Sequence, residues 1–125
     1  MRGKSLPPLA RPKKRKQSTY KTSESSVKAA CMGWLAHHNI FVWRNNTGAI
    51  KTEGGYWLRF GLKGSADIIG MTRGGRFLAI ETKSAIGELT DEQRDFRDAV
   101  MRNGGLFIIS RGIDDLEKHK ENILS

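Results

Sequence analysis

The sequence predicts an α/β fold in which a mixed β-sheet is flanked by helices. Apolar residues recur at helical spacing in two segments, residues 22–38 and 89–102, which is typical of amphipathic helices. Short runs of mostly apolar residues begin near positions 40, 66, 77 and 106, and their composition favours strands. A chain of 125 residues suffices for one domain with a single modest core. This order of helices and strands predicts an α/β sandwich.

Composition excludes several classes of protein. The only cysteine is Cys31, which excludes an internal disulfide framework and a structural cysteine zinc site. No apolar run approaches the length of a transmembrane helix, about 18 residues, and residues 1–20 lack the apolar centre of a signal peptide. We therefore expect no membrane association and a reducing compartment. The expected location is the cytoplasm, for a bacterial or phage-encoded protein, and a nuclear location is the less favoured alternative.

Positive charge is concentrated at the beginning of the chain. The formal net charge is +9, and residues 1–21 alone carry eight Lys or Arg and no acid. We interpret this segment, which also holds the three prolines, as a disordered basic arm before a domain at residues 22–125. Such an arm suits a polyanion, most commonly nucleic acid. The candidate contacts are Lys13, Lys14, Arg15 and Lys16. A solvated leader and a nuclear localisation signal at 12–16 are the alternatives.

The first helix is predicted to begin at Thr22 or Ser23, because both residues are good N-caps. Asn39 is expected to end it. Its predicted apolar stripe consists of Val27, Ala30, Cys31, Trp34, Leu35 and His38. Glu24 lies at the edge of this stripe, where an acid also interacts favourably with the helix dipole. Glu24 therefore has either a role in a site or a purely helix-stabilising role.

A strand, a hairpin and a loop are predicted next. Residues 40–44 are rich in β-forming side chains, and a hairpin is expected over 51–60 around Gly54 and Gly55. Aromatic and basic side chains are mixed here, which suits nucleic-acid bases and phosphates but also an ordinary amphipathic hairpin. These side chains are Lys51, Tyr56, Trp57, Arg59 and Lys63. Residues 61–65 are predicted to form a flexible loop. The nucleic-acid-binding candidates of this segment are Arg44, Asn46, Lys63 and Ser65.

Two apolar runs, residues 66–71 and 77–82, are predicted to pair as antiparallel strands around a tight turn at 72–75. Both are apolar nearly throughout, as expected for strands buried on two faces. Each run nevertheless carries an acid near its outer end. Asp67 and Glu81 both lie about seven positions from the centre of the turn, so pairing of the strands would bring them close together.

The remaining elements are a helix, a strand and a final helix. Thr90 and Gln93 form a capping-box pattern that opens the second helix. Its predicted inner stripe consists of Leu89, Phe96, Val100 and Met101. Asn-Gly-Gly at 103–105 is expected to end this helix. A short strand is predicted at 106–110 and a terminal, mostly polar helix at 114–124.

The two acids and a neighbouring lysine suggest a chemistry. Glu81 and Lys83 are two positions apart on a strand and therefore share a face. Asp67 and Glu81 would repel each other unless a cation lay between them. Carboxylate oxygens suit Mg²⁺ or Mn²⁺, and the backbone carbonyl of Thr82 is a candidate third ligand. Lys83 could hold or help to deprotonate an attacking water, as phosphodiester hydrolysis requires. The alternative is a surface salt bridge between Glu81 and Lys83.

At these residues the chain resembles the PD-(D/E)xK nuclease superfamily and, within it, the VRR-NUC (virus-type replication-repair nuclease) family. The resemblance covers residues 22–110 and rests on the order of several segments. They are Glu24, Val-Trp-Arg-Asn-Asn-Thr-Gly-Ala at 42–49, Gly-Leu-Lys-Gly-Ser-Ala-Asp-Ile-Ile-Gly at 61–70, Gly-Arg-Phe-Leu-Ala-Ile-Glu-Thr-Lys at 75–83, Thr-x-x-Gln-x-x-Phe at 90–96 and Gly-Gly at 104–105. Ala66 stands where the superfamily has its proline, a position that shapes the strand entry and takes no part in the chemistry.

The resemblance implies a restriction-endonuclease-like core and a metal-dependent DNA nuclease. Asp67 and Glu81 would be metal ligands, and Lys83 would be the catalytic lysine. Glu24 would act through a water on the metal, and Gln93 would complete the catalytic set from the following helix. A helix-capping role for Gln93 is compatible with this assignment.

The resemblance also implies a partner and an assembly. Compact members of the family are similar to Holliday junction resolvases and tend to be homodimers, so a homodimer acting on branched DNA is expected. Two alternatives stay open. One is a non-catalytic nucleic-acid-binding module, and the other is a nuclease of the same fold that acts on flaps, linear DNA or RNA.

Overall fold

The computed structural model describes residues 23–125. The predicted basic arm, with Lys13, Lys14, Arg15 and Lys16, lies outside the described residues. The described elements are α1 (Glu24–His37), β1 (Val42–Arg44), β2 (Gly48–Lys51), β3 (Trp57–Phe60), β4 (Ile68–Met71), β5 (Phe77–Thr82), α2 (Asp91–Arg102), β6 (Leu106–Ser110), α3 (Ile113–Lys118) and α4 (Lys120–Leu124). No helix among them is both long and apolar enough to cross a bilayer.

Four strands form a central sheet in the order β1-β4-β5-β6. β4 pairs antiparallel with both β1 and β5, as the tight turn between β4 and β5 predicts. β5 and β6 run parallel, because α2 provides the crossover that parallel neighbours require. The prediction of a mixed sheet flanked by helices is therefore confirmed. β2 and β3 form the predicted hairpin as a separate two-stranded sheet.

The central sheet carries a hydrophobic core on each face. The larger core joins the sheet to α1, α3 and α4, and its buried residues include Leu35, Ile80, Leu116 and Ile123. The smaller core lies on the other face, where Val100 of α2 packs with Ala66, Ile69 and Ala79. Side chains alternate between faces along a strand. Because Ala79 belongs to the α2 face, Glu81 lies on the α2 face as well.

α1 begins and ends close to the predicted residues. Ser23 is its N-cap, and the Ser23 hydroxyl accepts a hydrogen bond from a backbone N–H of the first turn at 3.1 Å. Asn39, with φ 58°, follows the helix in the left-handed conformation. Its buried stripe consists of Val27, Cys31, Trp34 and Leu35. His38 is half-buried and stacks on Trp34, whereas Ala30 is exposed and was wrongly predicted to lie in the stripe.

Three further predictions need correction. Met101 is 60% exposed, because its neighbour Val100 occupies the inward position and successive helical residues point about 100° apart. The strand predicted at 40–44 begins only at Val42, since the N–H of Ile40 donates to the carbonyl of Leu35 and continues the exit from α1. The helix predicted at 114–124 is divided into α3 and α4.

The division of the terminal helix has a visible cause. The N–H of His119 donates to the carbonyl of Leu116, only three residues back, at 3.0 Å. A bond of this kind tightens the turn and interrupts the α-helical ladder. The chain then continues as α4, and its Ile123 is buried in the same core as Leu116.

Candidate active site

Asp67 and Glu81 lie at the same end of the β4–β5 pair. Ile68 and Ile80 are the last paired residues before this end, so one further step along the ladder sets Asp67 opposite Glu81. Cross-strand neighbours of this kind lie close together on one face of the sheet. Asp67 also contacts Thr82, the residue next to Glu81. The prediction that the turn brings the two acids together is confirmed.

The two oxygens of the Asp67 carboxylate have different neighbours. Oδ2 accepts two hydrogen bonds from Thr82, one from the backbone N–H at 2.9 Å and one from the hydroxyl at 2.8 Å. Oδ1 lies 3.5 Å from the ammonium of Lys28 on α1, which is longer than a charge-assisted hydrogen bond of about 2.8 Å. The protein therefore holds Oδ2 firmly and leaves Oδ1 accessible to a further ligand.

The two oxygens of the Glu81 carboxylate also have different neighbours. Its Oε2 accepts a hydrogen bond from the Gln93 side-chain amide at 3.0 Å and lies 3.8 Å from the Lys83 ammonium. Its Oε1 is buried and accepts no hydrogen bond from any residue in the range 23–125. An unpaired buried acceptor loses its hydration without compensation and is rare in folded proteins. The arrangement therefore favours a ligand for Oε1.

The surroundings of Glu81 also disfavour a bare negative charge. Burial raises the pKa of Glu81 from 4.5 to about 8, and the neighbouring charge of Asp67 acts in the same direction. Lys83 lowers this pKa in part, whereas a hydrogen bond that the protonated Glu81 can donate to Asp67 and the more distant charge of Glu24 raise it further. A cation between the two acids would reverse their mutual repulsion.

Lys83 and Glu81 form an interior pair. Their side chains are 9% and 3% exposed, respectively, so the alternative of a surface salt bridge between them is wrong. Burying two charges costs more hydration energy than an ordinary ion pair recovers. Fold stability alone therefore does not explain this pair, whereas a functional site would, because such sites concentrate buried charges.

Gln93 makes contacts of both kinds considered for it, one set at the helix cap and one to Glu81. The side-chain Oε1 of Gln93 accepts a hydrogen bond from the Thr90 backbone N–H at 2.9 Å. The backbone N–H of Gln93 donates to the Thr90 hydroxyl, which completes a capping box. Its Nε2 is then free to donate to Glu81. The start of α2 and the orientation of the Glu81 carboxylate thus depend on one amide group.

Two residues of α1 face this end of the sheet differently. Glu24 is exposed in the first turn and makes no hydrogen bond or ion pair with the described residues of the site. Lys28, four positions later, forms the ion pair with Asp67. Sequence reasoning missed Lys28. The available signal was its helical spacing from Glu24, because residues at i and i+4 lie on one face of a helix.

The donor atoms fit a hard divalent cation. Among residues 23–125 no group of three His, Cys, Asp or Glu side chains could hold a metal ion, so any ion here would have two carboxylate ligands. Mg²⁺ commonly binds one or two carboxylates and completes its shell with water and phosphate oxygens. Oδ1 of Asp67 and Oε1 of Glu81 are the available atoms. The role of the Thr82 carbonyl as a third ligand stays a prediction.

The residues predicted to bind nucleic acid surround the loop before Asp67. Arg44, at the end of β1, and Asn46 are both exposed. Lys63 lies 3.7 Å from Glu92, and both side chains are at least half exposed, so this pair is easily exchanged for another partner. The Ser65 hydroxyl instead donates to the Leu62 carbonyl at 2.6 Å. Ser65 therefore shapes its own loop.

Asn45 is a positioning residue that sequence reasoning did not single out. Its backbone N–H donates to the Asp67 carbonyl at 2.7 Å. Its side-chain amide donates to the Ser65 hydroxyl at 2.6 Å and to the Ala66 carbonyl at 2.9 Å. These bonds fix the chain immediately before and at Asp67. The signal was its location between a predicted strand and a turn, where Asn commonly bonds to neighbouring backbone groups.

Comparison of the chain with family models, curated proteins and solved structures finds no match.

Proposed function

We propose that this protein is a Mg²⁺- or Mn²⁺-dependent DNA endonuclease that hydrolyses phosphodiester bonds, selects branched DNA such as a Holliday junction, and acts as a homodimer. In this proposal the domain has a restriction-endonuclease-like core and belongs to the PD-(D/E)xK superfamily, as a member of the VRR-NUC family. The sequence resemblance supports the family assignment, and the geometry of the site supports the reaction class.

One observation carries the proposal. Asp67 and Glu81 each have one oxygen held by protein donors and one oxygen without a firm partner, and the buried Lys83 lies beside them. Two half-satisfied carboxylates at one sheet end suit the binding of a hard cation. An adjacent ammonium suits a reaction in which negative charge develops on phosphate oxygens.

The side chains have distinct proposed roles. Asp67 and Glu81 hold the metal ion, which when bound supplies positive charge to offset the negative charge that develops on the scissile phosphate. Lys83 donates hydrogen bonds to the oxygen of the attacking water and to the phosphate. Thr82 and Gln93 keep the two carboxylates in position through their hydrogen bonds. Glu24, at the start of α1, orients a water at the rim of the site.

Exposed apolar side chains support the proposed homodimer. β1 is an edge strand of the central sheet. The rings of Phe41 and Trp43 lie 5.7 Å apart there and are 64% and 48% exposed. Paired aromatics on an open edge suit a second protein surface. Sedimentation velocity of the wild-type chain and of Trp43→Ala tests this assignment, and a wild-type monomer at working concentration would contradict it.

The reaction is tested with a panel of labelled DNA structures of equal length: a four-way junction, a flap, a linear duplex and a single strand. A matching RNA is included. Cleavage should require Mg²⁺ or Mn²⁺, stop in EDTA, and be fastest on the junction. Binding without turnover of any substrate would instead identify a non-catalytic nucleic-acid-binding module. Preferred cleavage of flaps, linear DNA or RNA would retain the chemistry and change the substrate.

The basic arm has its own test. Removal of residues 1–21 deletes eight positive charges and no negative one. We expect weaker DNA binding with a shallower dependence on salt, because fewer counterions are released. Cleavage of a saturating substrate should persist. An unchanged salt slope, measured by fluorescence anisotropy, would show that the arm makes no phosphate contact.

A further inference from the structure

The β2–β3 hairpin stands apart from the rest of the fold. Every residue of its two strands is exposed, and it makes few contacts with other described elements. An isolated two-stranded hairpin is at best marginally stable in water. The exposed side chains include Trp57, Leu58 and Phe60, which are 67%, 57% and 45% exposed. Such a surface is more typical of a binding element than of a structural one.

The strand register separates the hairpin into two chemically different faces. Lys51 pairs with Trp57 and Ala49 pairs with Arg59, so these side chains share one face. The other face holds the pairs Ile50 with Leu58 and Gly48 with Phe60. The first face, which we call the Trp57 face, is basic and aromatic. The second, which we call the Leu58 face, is apolar.

The charges of the Trp57 face favour an anionic partner. Neither Lys51 nor Arg59 forms an ion pair with any residue in the range 23–125. The only acid between residues 48 and 60 is Glu53, which lies in the turn at the tip. A large exposed indole between two cations suits a base that stacks while its neighbouring phosphates meet positive charge.

The root of the hairpin adjoins the candidate active site. Asn45, just before β2, donates its backbone N–H to the Asp67 carbonyl at 2.7 Å. After β3 the chain returns past Gly61, where φ is +75° and an added Cβ would lie 2.7 Å from the Asn46 carbonyl oxygen. Both stems are therefore held together beside Asp67. At about 3.3 Å per residue, the hairpin extends roughly 20 Å from this root.

We propose that the Trp57 face, which lies toward the tip of the hairpin, binds unpaired bases of the DNA substrate a few nucleotides away from the scissile phosphate. Trp57 stacks on a base, and Lys51 and Arg59 contact the flanking phosphates. The inference rests on the proposed nuclease function and adds its substrate feature: the enzyme engages DNA where bases are unpaired, as at a branch point or a single-stranded tail. Stacking is tolerant of base identity, so selection follows structure and not sequence.

The two faces supply a matched set of variants. Trp57→Ala removes the stacking ring, Trp57→Phe keeps an aromatic ring, and Leu58→Ala alters the adjacent, similarly exposed residue on the opposite face. All three are made in the full chain. Binding is measured by fluorescence anisotropy in EDTA, so that no cleavage occurs. The probes are a forked DNA with two unpaired arms and a blunt duplex of the same length.

Trp57→Ala should weaken binding of the forked DNA by about tenfold or more and leave the blunt duplex affinity unchanged. Trp57→Phe should retain most of the affinity, and Leu58→Ala should match the wild type. A 2-aminopurine at the branch point should report base stacking with the wild type and lose that signal with Trp57→Ala. Lys51→Gln and Arg59→Gln should each reduce the salt slope by about one.

Three results would overturn the inference. The first is an equal loss of affinity for forked DNA with Trp57→Ala and with Leu58→Ala. The second is a loss of affinity with Trp57→Ala that is the same for forked and blunt DNA. The third is conversion of a dimer to a monomer by Trp57→Ala, measured by sedimentation velocity. The last result would make a second copy of the chain the occupant. Cleavage by the wild type with no Trp57 dependence overturns only this inference. Trp57-dependent binding with no cleavage by the wild type overturns only the proposed function.

Discussion

The molecule contains two antiparallel strand pairs that are closed by the same turn and have opposite surroundings. Thr52-Glu-Gly-Gly joins β2 to β3, and Thr72-Arg-Gly-Gly joins β4 to β5. In both turns the threonine hydroxyl accepts a backbone N–H at 3.1 Å. Gly55 and Gly75 have φ values of +89° and +92°. Yet β2–β3 is exposed throughout, whereas nearly all of β4–β5 is buried.

This difference shows how the surroundings determine what a strand pair can do. Burial around β4 and β5 holds one oxygen of each carboxylate, Asp67 and Glu81, on fixed donors, so their orientation is defined, as the proposed metal ion would require. Exposure leaves the side chains of β2 and β3 without protein partners, so they remain available to a large ligand. Substitutions at the buried β4–β5 pair should therefore change cleavage and metal binding much more than substitutions at the exposed β2–β3 pair.

The largest expected effect comes from replacing the carboxylates or the lysine of the buried pair. Asp67→Asn, Glu81→Gln and Lys83→Ala should each reduce single-turnover cleavage by about a thousandfold or more, because charge stabilisation of the transition state is lost. DNA binding in EDTA should persist. Glu53→Gln in the exposed turn is the matched control and should cleave normally. Full cleavage by the three variants in Mg²⁺ would show that the assignment of the active site to Asp67, Glu81 and Lys83 is wrong.

A smaller effect should separate the helix-capping role of Gln93 from its proposed role in the site. Gln93→Ala loses both the cap and the Glu81 contact, and we expect Mn²⁺ affinity to fall about 10- to 100-fold, as for other residues that orient metal ligands. Thr90→Ala loses only the cap, which should cost about 1 kcal/mol of stability and leave Mn²⁺ affinity unchanged. Titration calorimetry and thermal unfolding measure the two quantities. Equal Mn²⁺ affinities of the two variants would contradict a site role for Gln93.

Replacement of Lys28 should change Mn²⁺ affinity modestly, and in the opposite direction to replacement of Gln93. Its ammonium neutralises Asp67 and repels an incoming cation, so Lys28→Met should tighten Mn²⁺ binding by up to about tenfold, the gain being limited by solvent screening. Lys118→Met is a suitable control, because Lys118 also pairs with an acid, Asp115 at 3.7 Å, but is 73% exposed and belongs to α3. Calorimetry at low and high salt measures the difference. Weaker binding by Lys28→Met would show that Lys28 assists the ion.

The last expected effect is on stability and not on activity: a pH dependence of the free energy of unfolding in EDTA. The pKa of Glu81 is raised to about 8 in the folded chain, so folding favours the protonated carboxyl. This contribution to the free energy of unfolding is fully present below about pH 4.5, declines as pH rises, and is lost by about pH 8. Urea unfolding across this range measures it. Glu81→Gln should remove the decline, and Glu53→Gln should retain it.

Sequence reasoning located the two acids because local rules determine their relation. A single tight turn between two apolar runs leaves one register that buries both runs, and that register sets Asp67 opposite Glu81. The capping box at Thr90 and Gln93 is equally local. Gly54 and Gly55, with loose alternation on either side, allowed the hairpin to be predicted, although its first strand begins earlier than expected, at Gly48.

The features that were missed depend on the packing of distant elements. Lys28 reaches Asp67 only because α1 lies across the end of the sheet, and sequence spacing within α1 does not contain that angle. The separation of β2 and β3 into their own sheet likewise depends on which strands fill the central one. The exposure of Met101 reflects the rotation of α2 about its axis, which the hydrophobic pattern determines only to within one residue.

The side-chain amide of Gln93 contacts Thr90 through its oxygen and Glu81 through its nitrogen, and this limits which residues position 93 could accept during evolution. Glutamine and glutamate are interchangeable in a capping box, so helix α2 by itself would accept either. The site would not, because a glutamate here would turn a donor toward Glu81 into a third carboxylate. Exchange of glutamine for glutamate at this position would therefore leave the stability of helix α2 unchanged. It would add one negative charge to the site and so increase the positive charge needed to neutralise it.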